Sequence, residues 1–402
     1  MKLLLLYPYV PYPLDRGTYH RVYNLARELA RYHQVDLFCL DEGGSPTRTE
    51  AFSFARRVHF EPFAHPAWPR LFPDRIFNAV PTTILHWSSS SVAMALKRFI
   101  AGESYDAVHF CDLVLWQYAS LIPEGPLRIM DRSRVDLLFQ GEELNHLQLS
   151  TTQRLLRKEN LWKLTRYERM VAGQLDATVV CGPEDKIFLS RKVPEASEVK
   201  VLANGVDETF FSMEDFPPRP DPEPTILFCG AMDYSPNVDG LTWFFDDVDS
   251  LLLKRIPNRK ILIVGKNPLP GVQAFAAKSG VTVTGGVPDV RPYYQRSWVQ
   301  MVPLRIGGGT RLKIVESLSL GTPVVSTTIG AQGLELRNQE HLLLGDSADD
   351  FAGQLALILQ DKNLRDRLSA SGRQQVLKHY TWKQLGRELS DYYERLPKEK
   401  ST

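Results

Sequence analysis

The sequence predicts an α/β protein in two halves, each a parallel sheet covered by helices on both faces. Three observations carry that prediction. Short apolar runs alternate with longer amphipathic segments along the whole chain, the pattern of repeated βα units. The stretch 211–224, "FSMEDFPPRPDPEP", sets five prolines among several acids and can continue neither helix nor strand, so it reads as a linker. The length of 402 residues suits two or three domains rather than one.

In the first half, 1–210, strands are expected at "KLLLLYP", "QVDLFCL", "AVHF", "LRIMD", "ATVVC" and "KVLAN". The second half, 225–379, continues with "TILFCG", "KILIVG", "VTVTG", "VQMVPL" and "PVVST". Helical periodicity runs through "HRVYNLARELARY", "ENLWKLTRYERMVAG" and "ADDFAGQLALILQ". Within 380–402, "TWKQLGRELSDYYERL" is a further amphipathic helix. The opening "MKLLLLYPYV" reads as a buried first strand: its apolar stretch is short, prolines interrupt it, and no small-residue cleavage site follows.

A formal net charge of +1 gives no electrostatic reason to expect nucleic acid as a partner. No apolar run approaches the roughly 20 residues of a membrane span. Cys39, Cys111, Cys181 and Cys229 each close an apolar run, with no CxxC spacing among them. Buried free thiols at strand ends fit a reducing, cytoplasmic setting.

Residues 302–327, "VPLRIGGGTRLKIVESLSLGTPVVST", run from a strand through three glycines into a cationic helix and a second strand. A parallel strand entering a helix leaves unpaired N–H groups and partial positive charge at its carboxyl end. Gly307, Gly308 and Gly309 let backbone approach a bulky ligand closely. Thr310 suits the N-cap and Gly321 the stop. Arg311 and Lys313 oppose the helix dipole unless an anion sits between them, and phosphate is the natural candidate. Glu316, one turn deeper on the same face, can accept two hydroxyl hydrogen bonds, as a ribose cis-diol offers. Together these suggest a nucleoside diphosphate. An ordinary turn followed by a solvated Lys–Glu pair fits the same residues. The stretch matches neither GxxxxGK[ST] nor GxGxxG after the first strand.

The surrounding motifs are more specific. "ILFCGAMDYSPNVDGLTWF", "ILIVGKNP", "GVTVTGGVPDVRPYYQRSWVQMVPL" with the glycine turn, and "HLLLGDSADDFA" resemble the carboxyl-terminal domain of glycosyltransferase family four. "PLDRGTYHRVYNLARELA", "RYERMVAGQLDATVVCGPED" and "VKVLANGVDETFF" resemble that family's amino-terminal half, in the same order. The likeness covers nearly the whole chain, is weakest across 50–105 and 131–155, and looks closest to bacterial sugar transferases of polysaccharide-assembly clusters.

The resemblance implies the GT-B fold, with two Rossmann-like domains facing a cleft, the nucleotide mainly in the second, and the 380–402 helix packed back on the first. It implies a retaining transfer of sugar from a UDP- or GDP-linked donor to a glycan or lipid-linked acceptor. By position, Glu316 matches the donor-ribose glutamate, and 307–311 the loop around the diphosphate and sugar. Val287 falls at the nucleobase contact, and Gly17 in the glycine turn that approaches the diphosphate. Gly230, in the "CG" turn, joins the donor set.

Several departures matter. The family's first acid of a glutamate pair falls at Gly308, which bears on sugar recognition. "CGAMDYSPN" lacks the Arg and Lys that many members use to hold the phosphates. Arg311, with Lys313 or Lys266, is expected to take over, with Arg16 contributing. The family's pocket histidine falls at Cys111, leaving His109 or Asp112 as acceptor-side candidates.

Retaining transfer builds negative charge on the leaving diphosphate, which pre-placed cations and N–H groups stabilise. No metal and no cofactor are expected. The formal DxD, Asp247-Val248-Asp249, lies in helical spacing and reads as a solvated face. Across 154–170, six Lys/Arg face two Glu with Leu and Trp interleaved, a pattern fitting either an anionic membrane surface or an ordinary solvated helix. The competing functions are a nucleotide-sugar epimerase or phosphorylase of the same architecture, and a non-catalytic sugar-nucleotide-binding protein.

Overall fold

A computed structural model of the chain describes residues 1–14, 17–43, 49–67, 78–146, 150–196, 198–306 and 310–396. The backbone divides into two compact units, Met1–Ala203 with Lys383–Thr402, and Asn204–Trp382.

Among the described residues of the first unit, seven parallel strands form one sheet. They are β1 (Lys2–Tyr7), β2 (Gln34–Asp41), β3 (Arg57–Pro62), β4 (Ala107–Phe110), β5 (Leu127–Arg132), β6 (Ala177–Val180) and β7 (Val199–Val201). Their order is β3-β2-β1-β4-β5-β6-β7. Leu4, Leu6, Val108, Phe110 and Met130 share one buried face, packed on Val92, Leu96 and Phe99 of the helix Ser90–Ile100 and on Leu164 and Val171 of the helix Thr151–Ala172. Alternate residues such as Leu3 and Leu5 are buried on the opposite face. Burial on both faces is why these strands read as unbroken apolar runs rather than alternating ones.

The second unit carries six parallel strands among its described residues: β8 (Thr225–Cys229), β9 (Lys260–Val264), β10 (Val281–Gly285), β11 (Val299–Val302), β12 (Val324–Ser326) and β13 (Leu343–Leu344). Their order is β10-β9-β8-β11-β12-β13. The proline-rich stretch is strapped to this unit. Gln295 donates to the Pro217 carbonyl at 2.8 Å, and the Trp298 indole N–H donates to the Asp221 carbonyl at 2.7 Å.

The last helix, Trp382–Arg395, completes the first unit. A Cβ on Gly386 would come within 2.2 Å of the Glu28 Cβ, so only glycine lets the two backbones approach this closely. Ser390 bonds the His33 ring at 2.9 Å, and the Tyr392 hydroxyl donates to Glu198 at 3.1 Å.

The DxD expectation needs correcting in one respect. Asp247 is exposed, but Asp249 is buried in a two-point pair with the Arg259 guanidinium at 2.8 Å on each oxygen. An acid already committed to a buried arginine is a structural anchor, not a solvated group.

Candidate functional site

In an open parallel sheet, ligands bind beyond the carboxyl ends of the strands where the winding reverses. In the second unit that point lies between β8 and β11, since the chain winds outward from β8 through β9 and β10, then returns to β11. β8 ends at Cys229, with Gly230 just beyond it. β11 leads, past residues 307–309, into the helix Leu312–Ser319. The expectations for Gly307, Gly308 and Gly309 fall outside the described residues, as does the one for Arg16.

Lys313 stands at the end of β8. Its ammonium donates to the Asn237 side-chain oxygen at 2.8 Å and lies 4.3 Å from the centre of the Phe228 ring. Asn237 is fixed in turn by donating to the Ala231 carbonyl at 2.8 Å. A Cβ on Gly230 would meet the Asn237 amide nitrogen at 2.8 Å and the Lys313 ammonium at 3.0 Å. Glycine there leaves the lysine its place. Burial pulls the Lys313 pKa down to about 8, opposed by Cys229, with the nearby Arg311 charge pushing the same way as burial. A cation held below its ordinary pKa by burial and a neighbouring cation regains its proton affinity when an anion arrives.

Glu316 follows one turn on. Burial raises its pKa to about 7, opposed by Lys313 and by the Tyr294 hydroxyl, which lies 3.5 Å from Oε2. Arg311 is buried at the N-cap position of the helix and makes no side-chain cap bond. Thr310, expected as the cap, is engaged elsewhere: its hydroxyl accepts from the Asn204 N–H at 3.2 Å, and its carbonyl accepts from the Asn204 amide at 3.3 Å. Gly321 follows the helix with φ +75, the left-handed stop expected of it.

Gly230, Arg311, Lys313 and Glu316 are thus assembled at one strand end. Lys266, half-buried, follows the neighbouring β9, where its carbonyl accepts from the Met232 N–H at 2.9 Å. Val287, half-buried, follows the edge strand β10, two strands from β8. Sequence reasoning missed Asn237 and Tyr294. Asn237 had a readable signal, an amide two residues into the helix after the "CG" turn.

In the first unit the winding reverses between β1 and β4. Gly17 opens the helix Gly17–Leu29 and is exposed. Asp112, just past β4, is half-buried and accepts from the Val114 N–H at 3.2 Å. Burial raises its pKa to about 6, with Asp136 adding to the rise and Arg132 opposing it.

His109 is a correction. It is 3% exposed, with Nδ1 bonded to the Tyr393 hydroxyl at 2.6 Å and Nε2 3.7 Å from Asp131. Asp131 is itself held by Arg21, at 2.8 Å. Burial lowers the His109 pKa to about 4 despite Asp131. A neutral ring sealed beneath the last helix anchors that helix and offers nothing to an acceptor.

Comparisons with known proteins show what the whole chain is similar to. The family model of glycosyl transferases group 1 matches residues 223–361. The chain is 25% identical over 341 residues to a GDP-mannose-dependent alpha-(1-6)-phosphatidylinositol monomannoside mannosyltransferase of Mycobacterium tuberculosis, covering 78% of this chain and 81% of that one. Its fold is similar to sucrose-phosphate synthase from Thermosynechococcus elongatus, with TM-score 0.71, 19% identity, and 98% and 99% of the two chains covered. It is also similar to an Anabaena protein crystallised with UDP and glucose, with TM-score 0.66, 12% identity, and 98% and 99% covered.

Proposed function

We infer that the chain is a glycosyltransferase of the group 1 type, with the GT-B fold, that moves a sugar from a nucleotide donor to an acceptor. The donor diphosphate lies at the end of β8 against Lys313 and Arg311, and the donor ribose diol on Glu316. One observation carries this reading. Lys313, Asn237 and Gly230 are interlocked at the switch point of the second sheet, and Glu316 stands one helical turn behind them.

This arrangement supports a specific exchange of parts. The turn after β8 lacks the Arg and Lys expected there, and the Lys313 ammonium reaches that turn from the next helix instead. The two cations neutralise the leaving diphosphate as the glycosidic bond breaks, without a metal and with retention at the anomeric carbon. Asp112, at the switch point of the first sheet, is the acceptor-side group, its carboxyl within reach of ionisation near neutral pH. The nucleobase is uracil or guanine, since relatives and fold neighbours are named for GDP-mannose and UDP.

No helix among the described residues is long and apolar enough to cross a membrane. The helix Thr151–Ala172 nevertheless exposes Leu155 (67%) and Trp162 (59%) beside Arg154, Lys158 and Arg166. Exposed apolar groups rimmed by cations fit the surface of an anionic bilayer, which would present a lipid-linked acceptor. Leu155→Glu with Trp162→Glu abolishes co-sedimentation with phosphatidylglycerol vesicles on this reading.

The test of the donor site is calorimetry with UDP and GDP. Lys313→Met weakens the tighter of the two by roughly tenfold or more, the loss of a charge-assisted contact, while the melting temperature holds. Unchanged affinity in a folded Lys313→Met protein overturns the assignment.

A further inference from the structure

Tyr294 is among the largest fully buried side chains, yet it is not packed as a plain aromatic. It sits in the short helix Arg291–Arg296 with its hydroxyl directed into polar company under the donor face of the second unit. Glu316 Oε2 is 3.5 Å away, at the outer limit of a hydrogen bond. The Cys229 thiol, from the end of β8, and the Gln300 side chain, from the middle of β11, face the same hydroxyl. Gln300 is fully buried, and neither its amide nitrogen nor its oxygen has a hydrogen-bond partner. A buried amide left unsatisfied in a central strand is rare, and points to a partner supplied in another state of the site.

Burial holds the Tyr294 phenol well above its ordinary pKa, so it is always a donor. It has one proton, with the Glu316 carboxylate at the edge of reach and the Cys229 sulfur and the Gln300 amide facing the same hydroxyl. We propose that Tyr294 is a positioning residue that aims and ionises Glu316 for a ribose diol, with Gln300 as the alternative acceptor when the carboxyl is protonated. The proposal rests on the assignment of Glu316 to the donor ribose. An ionised carboxylate is the stronger acceptor and draws the hydroxyl toward it. A protonated one releases the hydroxyl to the Gln300 amide oxygen. The other charged groups at this carboxyl are Lys313 and, beyond it, Arg311, both on or beside its own helix. Cys229 is the remaining titratable neighbour, and burial first, then Glu316, raises its pKa to about 12, so it stays a neutral thiol.

The experiment compares UDP and GDP, whichever binds tighter, with its 2′,3′-dideoxy analogue from pH 5.5 to 9, on wild type, Glu316→Gln, Tyr294→Phe and Gln300→Leu. Wild type prefers the ribonucleotide, and Glu316→Gln abolishes the preference. In Tyr294→Phe the preference weakens about fivefold at pH 7 and its midpoint moves up about one pH unit, the worth of one hydrogen bond to a charged group. Affinity for the dideoxy analogue is unchanged, a readout that a packing defect would move. Gln300→Leu, which removes the competing acceptor, shifts the midpoint the opposite way and serves if Tyr294→Phe does not fold. If Glu316→Gln keeps the ribose preference, the ribose assignment itself fails. If that preference is lost but neither second variant moves the midpoint, the role of Tyr294 is overturned while the donor assignment stands.

Discussion

The Tyr393 hydroxyl lies 2.6 Å from Nδ1 of His109, joining the last helix of the chain to the fourth strand of the first sheet. The ring is neutral there, its pKa lowered to about 4 by burial. The unfolded ring takes its proton near pH 6.5, so between these values the unfolded state binds more protons than the folded one. Stability is therefore full above about pH 6.5 and falls as pH drops toward 4, by about 2 kcal/mol at pH 5. Urea unfolding at pH 8 and pH 5, in wild type and His109→Asn, measures this. An equal pH slope in the variant contradicts it.

Donor affinity passes through a maximum between the Glu316 and Lys313 pKa values of about 7 and about 8. Below that window the carboxyl carries its proton and is a poorer acceptor for a diol. Above it the lysine loses the charge that meets the diphosphate. Calorimetric titration across pH 5.5 to 9.5 reads the curve, and at pH 8.5 binding takes up protons from the buffer. A profile that only rises or only falls removes one of the two groups.

Gly230→Ala drives a methyl into the Asn237 amide and the Lys313 ammonium. Both are side-chain ends that can give way, but the φ of +159 at this position is itself strained for alanine, so the fold survives at some cost and donor affinity drops by roughly tenfold, or about 1.4 kcal/mol. Gly265→Ala behaves differently, because its Cβ would sit 1.7 Å from the Gly230 carbonyl oxygen, which is backbone. Melting temperature separates the two: modestly lowered in the first, sharply lowered in the second.

Asp249→Ala strands the Arg259 guanidinium in the interior and costs about 3–5 kcal/mol of stability. Asp247→Ala, on the exposed turn beside it, is neutral in stability and in transfer rate. Denaturant midpoints and donor turnover of the two variants check the claim. A loss of turnover in a stable Asp247→Ala would restore the DxD to the reaction.

The strands were legible because burial on both sheet faces writes them as short apolar runs. β3 escaped, since "RVHFEP" carries charge at both ends and is only half-buried. β13, two residues long, left too little pattern to see. At the proposed donor site Arg311, Lys313 and Glu316 can be picked out in the sequence because charge at a helix start is a local pattern. Asn237 and Tyr294 do not show in this way, because they reach that place from separate elements that only the folded sheet brings together. His109 misled for the opposite reason. A histidine near a strand end looks accessible until a helix almost 300 residues later in the chain closes over it.

Because Gly386, Ser390 and Tyr393 seal the first unit from the far end of the chain, that unit is finished only after the ribosome has released everything between. A nascent chain that has just made residue 203 holds a sheet whose His33 and His109 still lack their caps. The second unit, continuous in sequence, is free to settle first. Expressing the amino-terminal half by itself would yield an unlidded fragment, whereas a fusion joining 1–203 to 383–396 through a short spacer restores the missing lid.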